Sequence, residues 1–148
     1  MTATGIWYGA GIGCGPSASG GGTITITGGT VVATSAAGAG IGGATQAVTP
    51  DIYISGGNVT ATSAGTHAGI GGGAARSANI ITISGGTVTA TGSNGGAGIG
   101  GGMGSIGSPP GTCGTVTISG GTVIATGGQG AANLTSSPIL PNLRNPDF

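Results

Sequence analysis

Residues 81–91, Ile81-Thr82-Ile83-Ser84-Gly85-Gly86-Thr87-Val88-Thr89-Ala90-Thr91, followed by Gly96-Ala97-Gly98-Ile99-Gly100, hold three strand-like segments in one short span. In the first, apolar β-branched residues alternate with Thr or Ser, the pattern of a half-buried strand. Gly85-Gly86 then makes a corner that needs backbone angles closed to other residues. The second segment alternates again, with Val88 and Ala90 on one side and threonines on the other. The third, Gly-Ala-Gly-Ile-Gly, turns Ala97 and Ile99 inward and leaves its glycines outward.

The same pattern returns on both sides of this stretch. Gly-Ile-Gly centres on Ile12, Ile41, Ile70 and Ile99, at intervals of 29 residues. The Gly-Gly corner falls at Gly28-Gly29, Gly56-Gly57, Gly85-Gly86 and Gly120-Gly121, with an insertion between Met103 and Gly114 before the last. First segments recur as Thr23-Ile24-Thr25-Ile26, Asp51-Ile52-Tyr53-Ile54 and Thr115-Val116-Thr117-Ile118. The inward set of the second segment is Val31, Val59, Val88 and Val123 with Ala33, Ala61, Ala90 and Ala125. Thr2-Ala3-Thr4 precedes Ile12 as Thr60-Ala61-Thr62 precedes Ile70, so the chain is expected to open inside a repeat.

Internal periodicity outranks local reading. Three strands and three corners in about 29 residues predict one coil of a parallel β-solenoid. The expected fold is all-β: a three-faced, right-handed β-helix over residues 1–134, with three full coils and a partial coil at each end. Stacked coils lie about 4.8 Å apart, so like residues form ladders along the axis. A tandem β-sandwich competes, but one period has too few strands to cover its own apolar face. Both ends of the stack should present unpaired backbone groups that template another chain. Residues 135–148 leave the repeat as a Pro-rich tail.

Composition narrows the function. Glycine makes up 39 of 148 residues, which by itself suggests disorder, but the net charge is zero and 36% of residues are hydrophobic. Disorder by composition wants the opposite balance. The charged side chains are Asp51, Arg76, Arg144 and Asp147. Two isolated arginines make no nucleic-acid footprint, and two distant aspartates make no calcium site. No apolar run is long enough for membrane insertion, and no signal peptide is visible at Met1-Thr2-Ala3-Thr4. No cofactor motif is present. His67 replaces a glycine with no carboxylate in register, and no acids pair on one face as a glycosidase requires. His67, Asp51 and Arg76 are therefore expected to be solvated surface variations, and the chain is expected not to be an enzyme.

Residues that depart from the repeat are the candidate contacts. Ile6, Trp7 and Tyr8 occupy a corner that is Ser93-Asn94-Gly95 in a later coil, either as a plug over the core or as a contact with another subunit. Ala132-Asn133-Leu134 stands where Ala97-Gly98-Ile99 would be, which predicts a last third-face strand. The tail offers Ile139, Leu140, Leu143 and Phe148 to an apolar partner. Cys14 and Cys113 sit at one corner, three coils or about 15 Å apart by coil spacing, against the 7 Å or less that a disulfide wants. An internal bridge by way of the insertion, a bridge to a stacked neighbour, and free thiols all remain open.

Two resemblances rest on these residues. The outward hydroxyls Thr30, Thr34, Thr60, Thr62, Thr87, Thr89, Thr91, Thr122 and Thr126 form a ladder that resembles the flat Thr-x-Thr arrays of solenoid ice-binding proteins. The segments Ile83-Ser84-Gly85-Gly86-Thr87-Val88-Thr89-Ala90-Thr91 and Gly98-Ile99-Gly100-Gly101-Gly102 look like the glycine-rich β-helical repeats of bacterial surface and adhesin-like proteins. That likeness spans residues 2–134 and implies an extracellular or cell-surface, non-enzymatic role. The expectation is a self-assembling structural protein whose partners are copies of itself, stacking end to end into a filament or appendage. An ice surface or a glycan is the alternative partner.

Overall fold

A computed structural model describes residues 1–104, 107–129 and the strand at 134–136. The first coil contributes β1 (Thr2–Gly5), β2 (Ile12–Gly13) and β3 (Thr23–Ile26); the second contributes β4 (Thr30–Ser35), β5 (Ile41–Gly42) and β6 (Asp51–Ile54). The third holds β7 (Asn58–Ser63), β8 (Ile70–Gly71) and β9 (Ile80–Ile83). The fourth holds β10 (Thr87–Thr91), β11 (Ile99–Gly100) and β12 (Thr115–Ile118). β13 (Thr122–Thr126) starts another coil, and β14 (Leu134–Ser136) follows it.

Like strands stack into three sheets. The first face is β3-β6-β9-β12, the second β1-β4-β7-β10-β13-β14 and the third β2-β5-β8-β11. The register is the one the repeat implies: Val59 pairs with Val88 and Val88 with Val123, while Ile52 pairs with Ile81. The fold is a three-faced parallel β-solenoid. Its core is the stack of inward side chains, with Ile41, Ile52, Ile54, Ile70, Ile81, Ile83, Val59, Val88 and Val123 all fully buried. Each contributes about 1.5–3 kcal/mol. At the Gly-Gly corner the second glycine bends the chain, with φ of 80° at Gly29, 93° at Gly57, 87° at Gly86 and 85° at Gly121. That region is costly for any residue with a Cβ.

The third face departs from expectation. Its glycines were expected to point outward, but Gly38, Gly40, Gly42, Gly69 and Gly71 are buried. The cause is a tight arc in each coil: the Ala39 N–H donates to Gly43 O, Ala68 to Gly72 and Ala97 to Gly101. The arc presses flat on the second face, and a Cβ at Gly40 would stand 2.6 Å from the Thr62 nitrogen. Glycine is there so that the arc of one coil can touch the backbone of the next. No exposed glycine surface remains on this face of the central coils for lateral packing.

The C-terminal expectation is also corrected. Leu134 belongs to the second face, not the third, because β14 runs antiparallel to β13 and pairs Leu134 with Ala125 and Ser136 with Val123. The insertion folds back over the top of the third-face corner. There Gly111 N–H donates to Gly102 O, and Thr112 N–H to Ser77 Oγ.

Candidate functional site

The second face is the most regular surface. Strand pairing aligns Thr4, Thr34, Thr62, Thr91 and Thr126 in one column. Thr30, Asn58, Thr87 and Thr122 form another, and Thr2, Val32, Thr60, Thr89 and Ile124 run between them. All of these positions are exposed or half-exposed. The hydroxyl ladder is real as geometry, but Val32, Asn58 and Ile124 interrupt it.

Ile6, Trp7 and Tyr8 lie at the edge of this face and project from it. Their side chains are largely exposed, so they do not plug the core. Ile12 and Ile24 in the same coil are left half-buried. Trp7 and Tyr8 have φ of 51° and 68°, a conformation uncommon for residues with large side chains. Beside them an open groove of about 500 Å³ runs along the corner. The tail candidates Ile139, Leu140, Leu143 and Phe148 lie outside the described residues.

Both cysteines are free thiols. Cys14 Sγ makes weak contacts with Gly20 O at 3.7 Å and Gly21 O at 3.6 Å. Partial burial pushes its pKa up, since the thiolate would lose solvation. Cys113 is exposed at the other end of the same corner, in the coil of β12.

His67 was expected on the surface and is instead buried. Its Nε2 lies 2.9 Å from Thr45 Oγ1, which itself donates to Ala37 O at 3.1 Å. The Thr45 hydroxyl is thus spent as a donor, so the imidazole carries its proton on Nε2 and the ring ties the third coil to the second. Nδ1 is a buried acceptor with no hydrogen-bond partner among the described residues. Burial lowers the pKa, because a charged ring would lose water and gain nothing. The sequence offered one signal for this role. His67 stands in a column otherwise made of Gly9, Gly38 and Gly96, where a side chain must find room inside.

Asp51 and Arg76 also link coils. Asp51 Oδ1 accepts from Asn79 Nδ2 at 2.6 Å and from the Ile80 N–H at 3.3 Å, while Arg76 Nη2 donates to Gln46 O at 3.1 Å. Among the described residues, no three of His, Cys, Asp and Glu converge as metal ligands. No helix there is long and apolar enough to cross a membrane.

A model of the beta helix repeat matches residues 2–16, 24–45, 52–74, 81–103 and 116–133, more than half of the chain. The chain belongs to the beta helix repeat family. No curated protein and no solved structure gives a significant match. In this beta helix repeat protein the internal unmatched stretches fall between the third and first faces, where the coils differ in length. The matched stretches are the strands and arcs that build the core. The departures from the repeat at Trp7-Tyr8 and His67 lie within matched segments, so membership does not account for them.

Proposed function

We propose that this beta helix repeat protein is a structural, non-enzymatic subunit that associates end to end with copies of itself, outside the cell or at its surface. The observation that supports this best is the first coil, whose outer edge no described residue covers. Among the described residues, strands β1, β2 and β3 each have a hydrogen-bonded neighbour on one side only, and Ala3, Ile12 and Ile24 are half-buried where their counterparts in the next coil are fully covered. The other end of the first face is alike, with β12 at the edge and Val116 and Ile118 half-buried. Like cross-sections meeting head to tail would complete these apolar rows and pair the open backbone edges. Near-zero charge removes the repulsion that keeps many proteins apart. The likeness to glycine-rich surface repeats supports the extracellular setting.

Uniform fibres under the electron microscope, and a sedimentation coefficient that rises with concentration, are the expected results. Strictly monomeric sedimentation at high concentration would overturn the reading. The interruptions of the threonine columns make an ice surface the weaker match for the second face.

A further inference from the structure

The turn at residues 6–9 has a property that coil stacking does not use. The Gly9 N–H donates to Ile6 O at 3.0 Å, and both central residues, Trp7 and Tyr8, have positive φ. That is the signature of a type I′ turn, for which Asn-Gly is the favoured pair. The same turn recurs in the fourth coil, where Gly96 N–H donates to Ser93 O at 2.9 Å. Its central residues are Asn94 and Gly95, with φ of 45° and 87°. One fold position therefore holds the relaxed pair at one end and two aromatic residues at the other. Among the described residues no packing compensates the strain, because Trp7 is 82% and Tyr8 59% exposed. Strain kept without an internal return points toward a ligand.

The surroundings state what kind of ligand. The adjacent groove, about 500 Å³, is lined by Thr4, Ile6, Trp7, Thr34, Ser35 and Thr62 among others. Of the described charged side chains, Asp51 and Arg76, neither lines it, which favours a neutral molecule. Trp7 lines it together with Thr4, Thr34 and Thr62 of the threonine column. Thr34 Oγ1 donates to Thr4 Oγ1 at a long 3.4 Å, which leaves the Thr4 hydroxyl able to donate elsewhere. A sugar ring has the matching pair of surfaces, a patch of C–H groups and a rim of hydroxyls. We infer that the Trp7-Tyr8 turn and the Thr4–Thr34–Thr62 groove form a binding subsite for a neutral saccharide.

Trp7 is the only tryptophan, so its fluorescence reports directly on the site. The full chain would be titrated with neutral oligosaccharides (gluco-, xylo-, manno- and chito-oligomers) and with polygalacturonate as the acidic control. A saturable blue shift with at least one neutral series is expected. By calorimetry, Trp7→Ala should weaken binding at least tenfold while leaving the circular dichroism spectrum unchanged. The double variant Trp7→Asn/Tyr8→Gly should lose binding equally and melt at a higher temperature than the parent, a combination that simple misfolding cannot produce. The inference is overturned by no response to any neutral series, by a response to polygalacturonate alone, or by affinity retained in the double variant. A shift that grows with protein concentration in the absence of sugar would assign the turn to a second copy, and overturns it as well.

Discussion

The two ends of the solenoid are built from the same repeat and finish differently. At the N-terminal end no described strand pairs with the outer side of β1, and Ala3, Ile12 and Ile24 are half-buried. At the C-terminal end β14 turns back against β13 and covers that edge, and Val123 and Ala125 are as buried as residues of the central coils. The difference is one of direction. A parallel strand can be followed by another coil of the same kind, whereas an antiparallel strand cannot continue the ladder of like residues. Among the described residues, one end is thus uncovered on all three faces and the other is covered on its widest face. In the proposed assembly, growth at that end must either displace β14 or pair an incoming β1 with it.

Charge placed in corresponding apolar rows tests this contrast most strongly. Val123→Asp should destabilise the fold by about 4 kcal/mol or more, because a buried carboxylate there has no partner. Ala3→Asp should cost under about 1 kcal/mol in the monomer, since the site is partly hydrated, yet abolish end-to-end association. Denaturant titration and sedimentation read the two effects separately. Equal destabilisation by both variants would break the comparison.

Uncovering the closed end is the next test. Ser136→Pro removes an N–H that β14 turns toward Val123 of β13 and blocks their pairing, since Thr122 and Thr126 turn their backbone groups to the preceding coil instead. A loss of about 1–2 kcal/mol is expected from the missing ladder bonds, together with faster assembly as β13 becomes an open edge. Slower assembly would mean that β14 is itself the contact surface.

His67 lies between the ends and sharpens the comparison by reporting on the central coils alone. Its folded pKa is lowered from 6.5, so the unfolded chain binds the proton more readily. Stability should be full above about pH 6.5 and fall as pH drops below that value toward the lowered folded pKa. His67→Gln should flatten that dependence in thermal melts and cost about 1 kcal/mol at pH 7. A pH profile that His67→Gln leaves unchanged would refute this assignment.

The smallest effect concerns the thiols. Cys113, exposed in the coil of β12, should react with an alkylating reagent well before Cys14, whose partial burial disfavours the thiolate. Mass spectrometry of partly modified protein would give the order. Assembly should then protect Cys14 further if the N-terminal end is the contact.

Much of the fold was legible before any coordinates. The 29-residue interval and the alternation in Thr87-Val88-Thr89-Ala90-Thr91 together identify the faces, the corners and the inward residues, because ladders force like side chains to stack. The candidate surfaces were less legible. Strict columns made the threonine ladder readable, and Trp7-Tyr8 stood out as a break in the pattern. Their turn type did not, since positive φ in an aromatic pair opposes local preference. His67 was misplaced because an isolated polar residue in a glycine column reads as surface until the Thr45 hydroxyl is known to lie beneath it.

What the sequence by itself determined is the repeat and everything that follows from repetition: the parallel sheets, their register, the apolar core and the left-handed second glycine at each corner. These are translational facts, and each coil states them again. Tertiary structure alone decided which side of the third arc its glycines face, where His67 finds its partner and in which direction β14 runs. Each depends on how closely two backbones approach or on what lies beyond the last coil, and a one-dimensional period carries no information about either.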